Sequence, residues 1–496
     1  MSNYDFDQIT DRRNTGSLKW DVAENELPMW VADMDFQTAP AVREAIEKRA
    51  AHGVFGYTDV EEDWYQAYMN WWERRHQFSI KKEWLTFCTG VVPAISSTVR
   101  KLTTPGENVL VMTPVYNTFY NSILNNGRNV LECPLVYENH KYHIDYADLE
   151  KKLANPQTSL MILCNPHNPV GKIWDKETLA HIGELCAKHH VLVLSDEIHC
   201  DLTMPGFEYT PFASVNETCR DNSITCIAPT KTFNMAGIQT AAIVVPNPYL
   251  RHKVWRAINT DEVAEPNVFA VTAAIAAFTQ GGEWLDQLRE YINQGKTIVK
   301  EYFAKELPQI QVVSEDATYL LWLDCSAVTS DSQEFADSIR KNTGLFLTGG
   351  YQYRGNGDSF VRLNIACAHS VIEDGLRRFK KGVEIYQGKA PAVIHASSVY
   401  NTPAEPEKKE STSVYEEEKQ EEFQLDAGLL AFLEADSYEK KLEILNNLHA
   451  TITDSMIDTM AVSLDIEVKD GDIEQRYQEV LNCLLTMERF ECNRLR

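Results

Sequence analysis

From about residue 21 to residue 383 the chain repeats one pattern. A short apolar run gives way to a polar turn, then to a stretch whose apolar positions recur every three or four residues. Uninterrupted apolar runs suit strands buried on both faces, and the wider spacing suits helices packed on them by one side. The predicted strands are Val109–Met112, Leu160–Cys164, Val191–Ser195, Ile224–Ala228 and Ala241–Val245. Between two of them, Lys176–His189 sets Leu179, Ile182, Leu185 and Cys186 on one helical face. Later, Leu320–Leu323 and Phe360–Ile365 alternate with a helix over Gln333–Asn342. This alternation predicts an α/β fold around a mostly parallel sheet, followed by a smaller α+β domain. Trp64, Trp71 and Trp72 recur at helical spacing and read as core rather than as a binding platform.

The pattern breaks at 389–424, where Pro391, Pro403 and Pro406 precede a run of Glu and Lys with few apolar residues. That composition predicts a disordered acidic linker. Residues 425–496 return to helical spacing: Asp436 and Glu439 form a capping-box pattern ahead of Leu442, Ile444, Leu445 and Leu448. Asp472 precedes a last helix carrying Ile473, Tyr477, Val480, Leu481, Leu484 and Leu485. We expect a small helical module there, of no assigned function.

Composition narrows the classes. At 44% hydrophobic and 24% charged, the 496 residues have the balance of a globular protein. No run approaches the roughly 20 apolar residues of a membrane span, and the polar N-terminus does not read as a signal peptide. The net charge of −25 divides almost evenly, −12 over residues 1–400 and −13 over 401–496. Such a surface repels phosphate backbones and anionic lipid, so neither nucleic acid nor membrane is an expected partner. The eleven cysteines show no C-x-x-C and no paired spacing, which predicts reduced thiols and a cytoplasmic home.

Three segments carry chemistry, each directly after or at the end of a predicted strand: Asn165–Gly171, Ser195–His199 and Ala228–Asn234. Ligands of open α/β sheets sit beyond the carboxyl ends of the strands, so the three converge on one crevice. A desolvated lysine, here Lys231, becomes a nucleophile towards aldehydes. A carboxylate such as Asp196 holds a pyridine nitrogen protonated, and the Asn168 amide donates to a phenolate oxygen. Singly, each has a plainer reading: a surface lysine, a helix cap, a pair of turns. Their ordered recurrence after three strands outweighs it.

These segments resemble the signatures of fold-type I pyridoxal-5′-phosphate (PLP) enzymes, the class I/II aminotransferase superfamily. The likeness is greater to its cystathionine β-lyase branch, the MalY/PatB-type C–S lyases. It is carried by Phe6–Trp20, Leu27–Phe36, His52–Thr58, Gly90–Ala94, Thr113–Tyr116, Pro166–Gly171, Lys231–Gly237 and Val361–Ala366, and runs from about residue 3 to 386. The resemblance implies a catalytic region over 1–388, with a large domain at about 50–280 and a small α+β domain from the N-terminal segment and about 281–388. It also implies PLP bound as a Schiff base on Lys231, Asp196 at the ring nitrogen and Asn168 at the ring oxygen. It implies Tyr116 stacked on one ring face and Ile198 packed beneath the other. The N–H groups of Val91 and Val92, with the Thr230 hydroxyl, are implied phosphate donors, since a helix start suits an anion. Tyr57 is implied to reach the phosphate site of a neighbouring subunit, making a homodimer with shared sites. Arg362 would clamp the substrate carboxylate, with Ala32 beside the substrate.

His199 and Gln239 stand where typical aminotransferases have tyrosine and arginine, as they do in the lyase branch. For His199 a hydrogen-bonded supporting role and a catalytic one both stay open. His189-His190 and His199-Cys200-Asp201 have no further ligand spacing, and adjacent residues point in different directions, so no metal is expected. The implied reaction is β-elimination of an amino-acid thioether, cystathionine or another cysteine S-conjugate, to a thiol, pyruvate and ammonia. A transaminase on the same fold is the first alternative, and an added partner-binding role of the C-terminal module the second.

Overall fold

The computed structural model describes residues 4–313 and 316–389, with Leu445, Ile457, Tyr477, Val480 and Leu481 beyond them. Contacts divide the chain into two units, Met1–Thr402 and Pro403–Arg496. Those five later positions are all helical, and all but Leu481 are buried. The expected linker from residue 390 and the rest of the C-terminal module lie outside the described residues.

The large sheet of the first unit has seven strands: β1 (Leu85–Cys88), β2 (Asn108–Thr113), β3 (Asn129–Pro134), β4 (Thr158–Cys164), β5 (Leu192–Asp196), β6 (Ser223–Ile227) and β7 (Ala241–Val244). They lie in the order β1-β7-β6-β5-β4-β2-β3, and all pairs are parallel except those of β7, which runs against both neighbours. Each predicted strand is present, with ends displaced by one or two residues. Residues of β6 and β7 are buried throughout, as unbroken apolar runs require. In register, Cys164 pairs with Asp196 and Asp196 with Cys226. The three loops of interest therefore leave the same edge of the sheet side by side.

Helices cover the sheet. In α1 (Glu62–His76), Trp64, Trp71 and Trp72 are buried as expected, and Phe278 lies 5.1 Å from Trp71 and 5.5 Å from Trp72 between ring centroids. The helix α2 (Val91–Leu102) begins at Gly90 without a side-chain cap, leaving its first N–H groups free of side-chain partners. By contrast, α3 (Lys176–Lys188) is capped by Asp175, whose carboxylate accepts from the Thr178 N–H.

A four-stranded antiparallel sheet follows, from β8 (Gln311–Val312), β9 (Leu320–Asp324), β10 (Thr348–Gly349) and β11 (Phe360–Asn364) in the order β8-β9-β11-β10. It packs with α4 (Ser332–Thr343) and α5 (His369–Tyr386). Close backbone approach fixes Gly350, just past β10. A Cβ there would lie 2.4 Å from the Gly357 carbonyl oxygen and 2.5 Å from that of Phe360. Backbone oxygens cannot swing aside, so Gly350→Ala is expected to cost about 1–3 kcal/mol, read as a lower urea midpoint. Gly237→Ala, with nothing within 4 Å of its Cβ, serves as the near-neutral comparison.

Candidate active site

Beyond the carboxyl edge of β4, β5 and β6 lies a cavity of about 260 Å³. Ala32, Val91, Val92, Tyr116, Asn168, Asp196, Ile198, His199, Thr230 and Lys231 all line it, joined by Thr89, Gly90, Pro93, Cys164, Ala236 and Gln239. Ten of the twelve expected site residues thus line one cavity. Arg362 stands just behind it, buried on β11, donating to Asn168 Oδ1 at 3.3 Å and to the Trp30 carbonyl at 2.9 Å. Tyr57 lies apart from this cavity and is fully exposed.

Local structure explains the placement of Lys231. Pro229 opens a single helical turn, Pro229–Thr232, after Ala228, and its fixed φ suits the first helical position. The Phe233 N–H closes the turn on the Pro229 carbonyl, and the buried Phe233 ring anchors it below. Asn234 then fastens the turn to the N-terminal segment: its amide donates to the carbonyls of Met34 and Phe36 at 3.0 and 2.7 Å, and its oxygen accepts from the Met34 N–H. Lys231 Nζ donates to the Ala32 carbonyl at 2.5 Å, and the Tyr319 hydroxyl donates to the same oxygen at 3.0 Å.

The segment Trp30–Phe36 is pinned from two further sides. Asn364, two residues past Arg362, donates to the carbonyls of Val31 and Asp33 at 2.5 and 2.6 Å. From the other side Arg12 pairs with Asp33 at 2.7 Å and Asp35 at 2.8 Å, and buried Lys19 with Asp35 at 3.0 Å. A segment from each sheet and one from the N-terminus therefore meet over the cavity.

The electrostatics suit a nucleophilic amine. Burial pushes Lys231 down to about 8; the Asp33 carboxylate opposes it, the Arg362 charge adds to it, and Asp196 opposes it more weakly. Burial raises Asp196 to about 7 despite the Ile198 N–H, which donates to Oδ1 at 3.1 Å, and despite the Lys231 charge. His199 is pushed down to about 3, first by burial and then by the Lys231 and Arg362 charges, so its ring is neutral. Glu197 turns away: its carboxylate accepts from Ser195, the Phe212 N–H and Tyr209.

The site could hold an anionic pyridine aldehyde. The start of α2 offers N–H groups for a phosphate, Tyr116 and Ile198 line the wall between them, and Asp196 is a buried carboxylate without a charged hydrogen-bond donor of its own. Tyr319 and Asp33 escaped the sequence reading as site residues. Tyr319 acts through the Ala32 carbonyl and Asp33 through its charge, and neither effect has a spacing signature. Cys200 and Asp201 sit in a turn after β5, and with His76 they bring three potential ligand atoms within 4.8 Å of one another.

Comparison with known proteins decides the family. The model of aminotransferase class I and II matches residues 24–379. The chain belongs to this family. It is 42% identical to cystathionine β-lyase PatB of Bacillus subtilis over 381 residues, 76% of this chain and 98% of that one. It is 32% identical to the protein MalY of Escherichia coli, over 75% and 97% of the two chains. Among solved structures it resembles cystalysin of Treponema denticola, which contains a pyridoxal 5′-phosphate cofactor, at TM-score 0.75 and 35% identity, covering 77% of this chain and 99% of that one. The PLP-bound C–S lyase of Staphylococcus hominis follows at TM-score 0.73 and 32% identity, over 77% and 98%. Among the described residues no helix is long and apolar enough to cross a membrane.

Proposed function

We propose that this protein is a PLP-dependent carbon–sulfur β-lyase that cleaves cystathionine or other cysteine S-conjugates. The observation that carries the reading is Lys231 together with the buried Asp196 in one cavity lined by a helix start, within a chain 42% identical to a named cystathionine β-lyase. PLP bound there supplies an electron-withdrawing ring that stabilises negative charge at the substrate Cα.

The chain's own residues do the rest. Asp196 holds the pyridine nitrogen protonated, and Asn168 donates to the ring oxygen while its own oxygen stays paired with Arg362. The free N–H groups of Val91 and Val92, with the Thr230 hydroxyl, hold the phosphate. Arg362, already forked between Asn168 and Trp30, clamps the substrate carboxylate beside Ala32. Neutral His199 fills the wall behind the ring as a supporting polar group. Lys231 takes the Cα proton. The Cβ–S bond then breaks, sulfur leaves with the bonding pair and gains a proton, and water converts the released 2-aminoacrylate to pyruvate and ammonium.

The depressed Lys231 amine has a measurable consequence. With a value about 8, the neutral fraction rises about tenfold between pH 7 and 9 and then saturates. The rate at which cofactor-free protein takes up PLP should follow that curve. An ordinary lysine, near 10.4, would still be climbing about tenfold per unit at pH 9.

The same reading places the catalytic region in residues 1–388 and pairs two copies. Val54, Phe55 and Tyr57 are exposed at 62%, 60% and 103% on one loop, which supports burial against a second subunit where Tyr57 reaches the other phosphate site. The nine described cysteines are all unpaired and buried, which supports a reducing, cytoplasmic setting. The deciding experiment supplies cystathionine without any keto acid and assays pyruvate. Stoichiometric pyruvate and thiol are expected; turnover that begins only when a keto acid is added would make the protein a transaminase instead.

A further inference from the structure

His199 and Lys231 face the catalytic cavity, but the residues that follow them, Cys200 and Thr232, contribute to a different site. There, a second cavity of about 380 Å³ is lined by His76, Cys200, Asp201, Tyr209, Arg75 and Arg289, among others. His76 comes from the last turn of α1, about 125 positions upstream in the chain, and its Nε2 lies 2.9 Å from Asp201 Oδ1. Ligand atoms of His76, Cys200 and Asp201 all fall within 4.8 Å of one another, and Cys200 and Asp201 are 1% and 5% exposed.

Two features distinguish this cluster from a simple ion pair. The Asp201 carboxylate is oriented from behind by the Trp71 indole N–H at 3.0 Å and the Thr232 hydroxyl at 3.2 Å, which is how supporting groups fix a metal-bound carboxylate. The open cavity in front leaves space for a fourth, exogenous ligand. One sulfur, one imidazole nitrogen and one carboxylate oxygen with an open position match the donor set and count that zinc takes.

We propose that His76, Cys200 and Asp201 form a binding site for a zinc-like divalent cation, separate from the catalytic cavity and back to back with it. Coordination displaces the Cys200 thiol proton and any proton shared between His76 and Asp201 to solvent, with no redox change. The site does not depend on the lyase reading.

The test uses the full-length, PLP-loaded protein, stripped with chelator and titrated separately with Zn²⁺ and Co²⁺. One tightly bound ion per chain is expected, and the Co²⁺ form should show thiolate charge transfer and visible d–d bands. Loss of groups behind a ligand costs about 10–100-fold in affinity, so Cys200→Ser, losing a ligand itself, is expected to weaken Zn²⁺ by roughly 100-fold or more. It should also abolish the charge-transfer band. His76→Gln provides the second arm, with unfolding midpoints confirming that both variants fold. Absence of stoichiometric uptake would overturn the proposal, as would equal affinity in wild type and Cys200→Ser. In that case His76 and Asp201 form an ion pair only.

Discussion

Lys231→Ala is expected to abolish pyruvate formation from cystathionine, with a loss of at least about 10³-fold. The same substitution should remove the absorbance of lysine-bound cofactor. Both effects follow from one atom: Lys231 Nζ lies at the cavity wall, held by the Ala32 carbonyl, and burial keeps its proton affinity low enough for it to act as a base. Among the described residues no other lysine lines this cavity. The fold should survive, because the cofactor-free protein carries the cost of holding this amine away from water, and a methyl group does not. Thermal unfolding of the cofactor-free variant is therefore expected at or above the wild-type midpoint. Lost turnover with an unchanged midpoint would place the effect in the chemistry. Retained turnover would remove Lys231 from it.

How much of this was legible in the sequence depends on whether a feature is local. Strands such as Ser223–Ile227 are buried throughout, so their apolar runs announce them, and the loops after them were placed correctly. Boundaries slipped by a residue or two where hydrogen bonds, not side-chain type, set the end. The helix beginning at Ser332 is one such case, because Asp331 caps it through the Gln333 and Glu334 N–H groups. The helix capped by Asp175 was legible from its own apolar face, Leu179, Ile182, Leu185 and Cys186.

Long-range partners carry no such signal. The Asn234 bonds to Met34 and Phe36 span about 200 positions, and Arg362 meets Asn168 across 194. The family likeness named Arg362 and Asn168 without their contact, and it left Asp33 and Tyr319 unremarked. The metal-like cluster shows the limit most sharply. The sequence shows Cys200 and Asp201 only as neighbours without a further ligand at metal-binding spacing, and only the fold delivers His76 to them.

Asp196→Asn is expected to separate turnover from stability, in opposite directions. Burial raises the Asp196 carboxyl to about 7, against an ordinary value of 3.8, outweighing the Ile198 N–H and the Lys231 charge. A group raised in this way disfavours its ionised form in the folded state. Its contribution to stability is therefore fully present below about pH 4 and is lost as pH rises through 7. At pH 8 the cofactor-free wild type holds a buried carboxylate that the Ile198 N–H and the Lys231 charge only partly offset, and the isosteric amide relieves it. The cofactor-free variant should accordingly unfold at an equal or higher temperature than wild type at pH 8, with the difference vanishing near pH 4. Once PLP is bound the sign reverses. The protonated ring nitrogen needs a negative partner to act as an electron sink, and an amide supplies none. Turnover of cystathionine should fall by about 10²–10³-fold, on the scale of other preorganised electrostatic groups. Steady-state assays and thermal melts on the same preparation measure both. Turnover within tenfold of wild type would show that Asp196 does not serve the ring nitrogen, whatever the melts record.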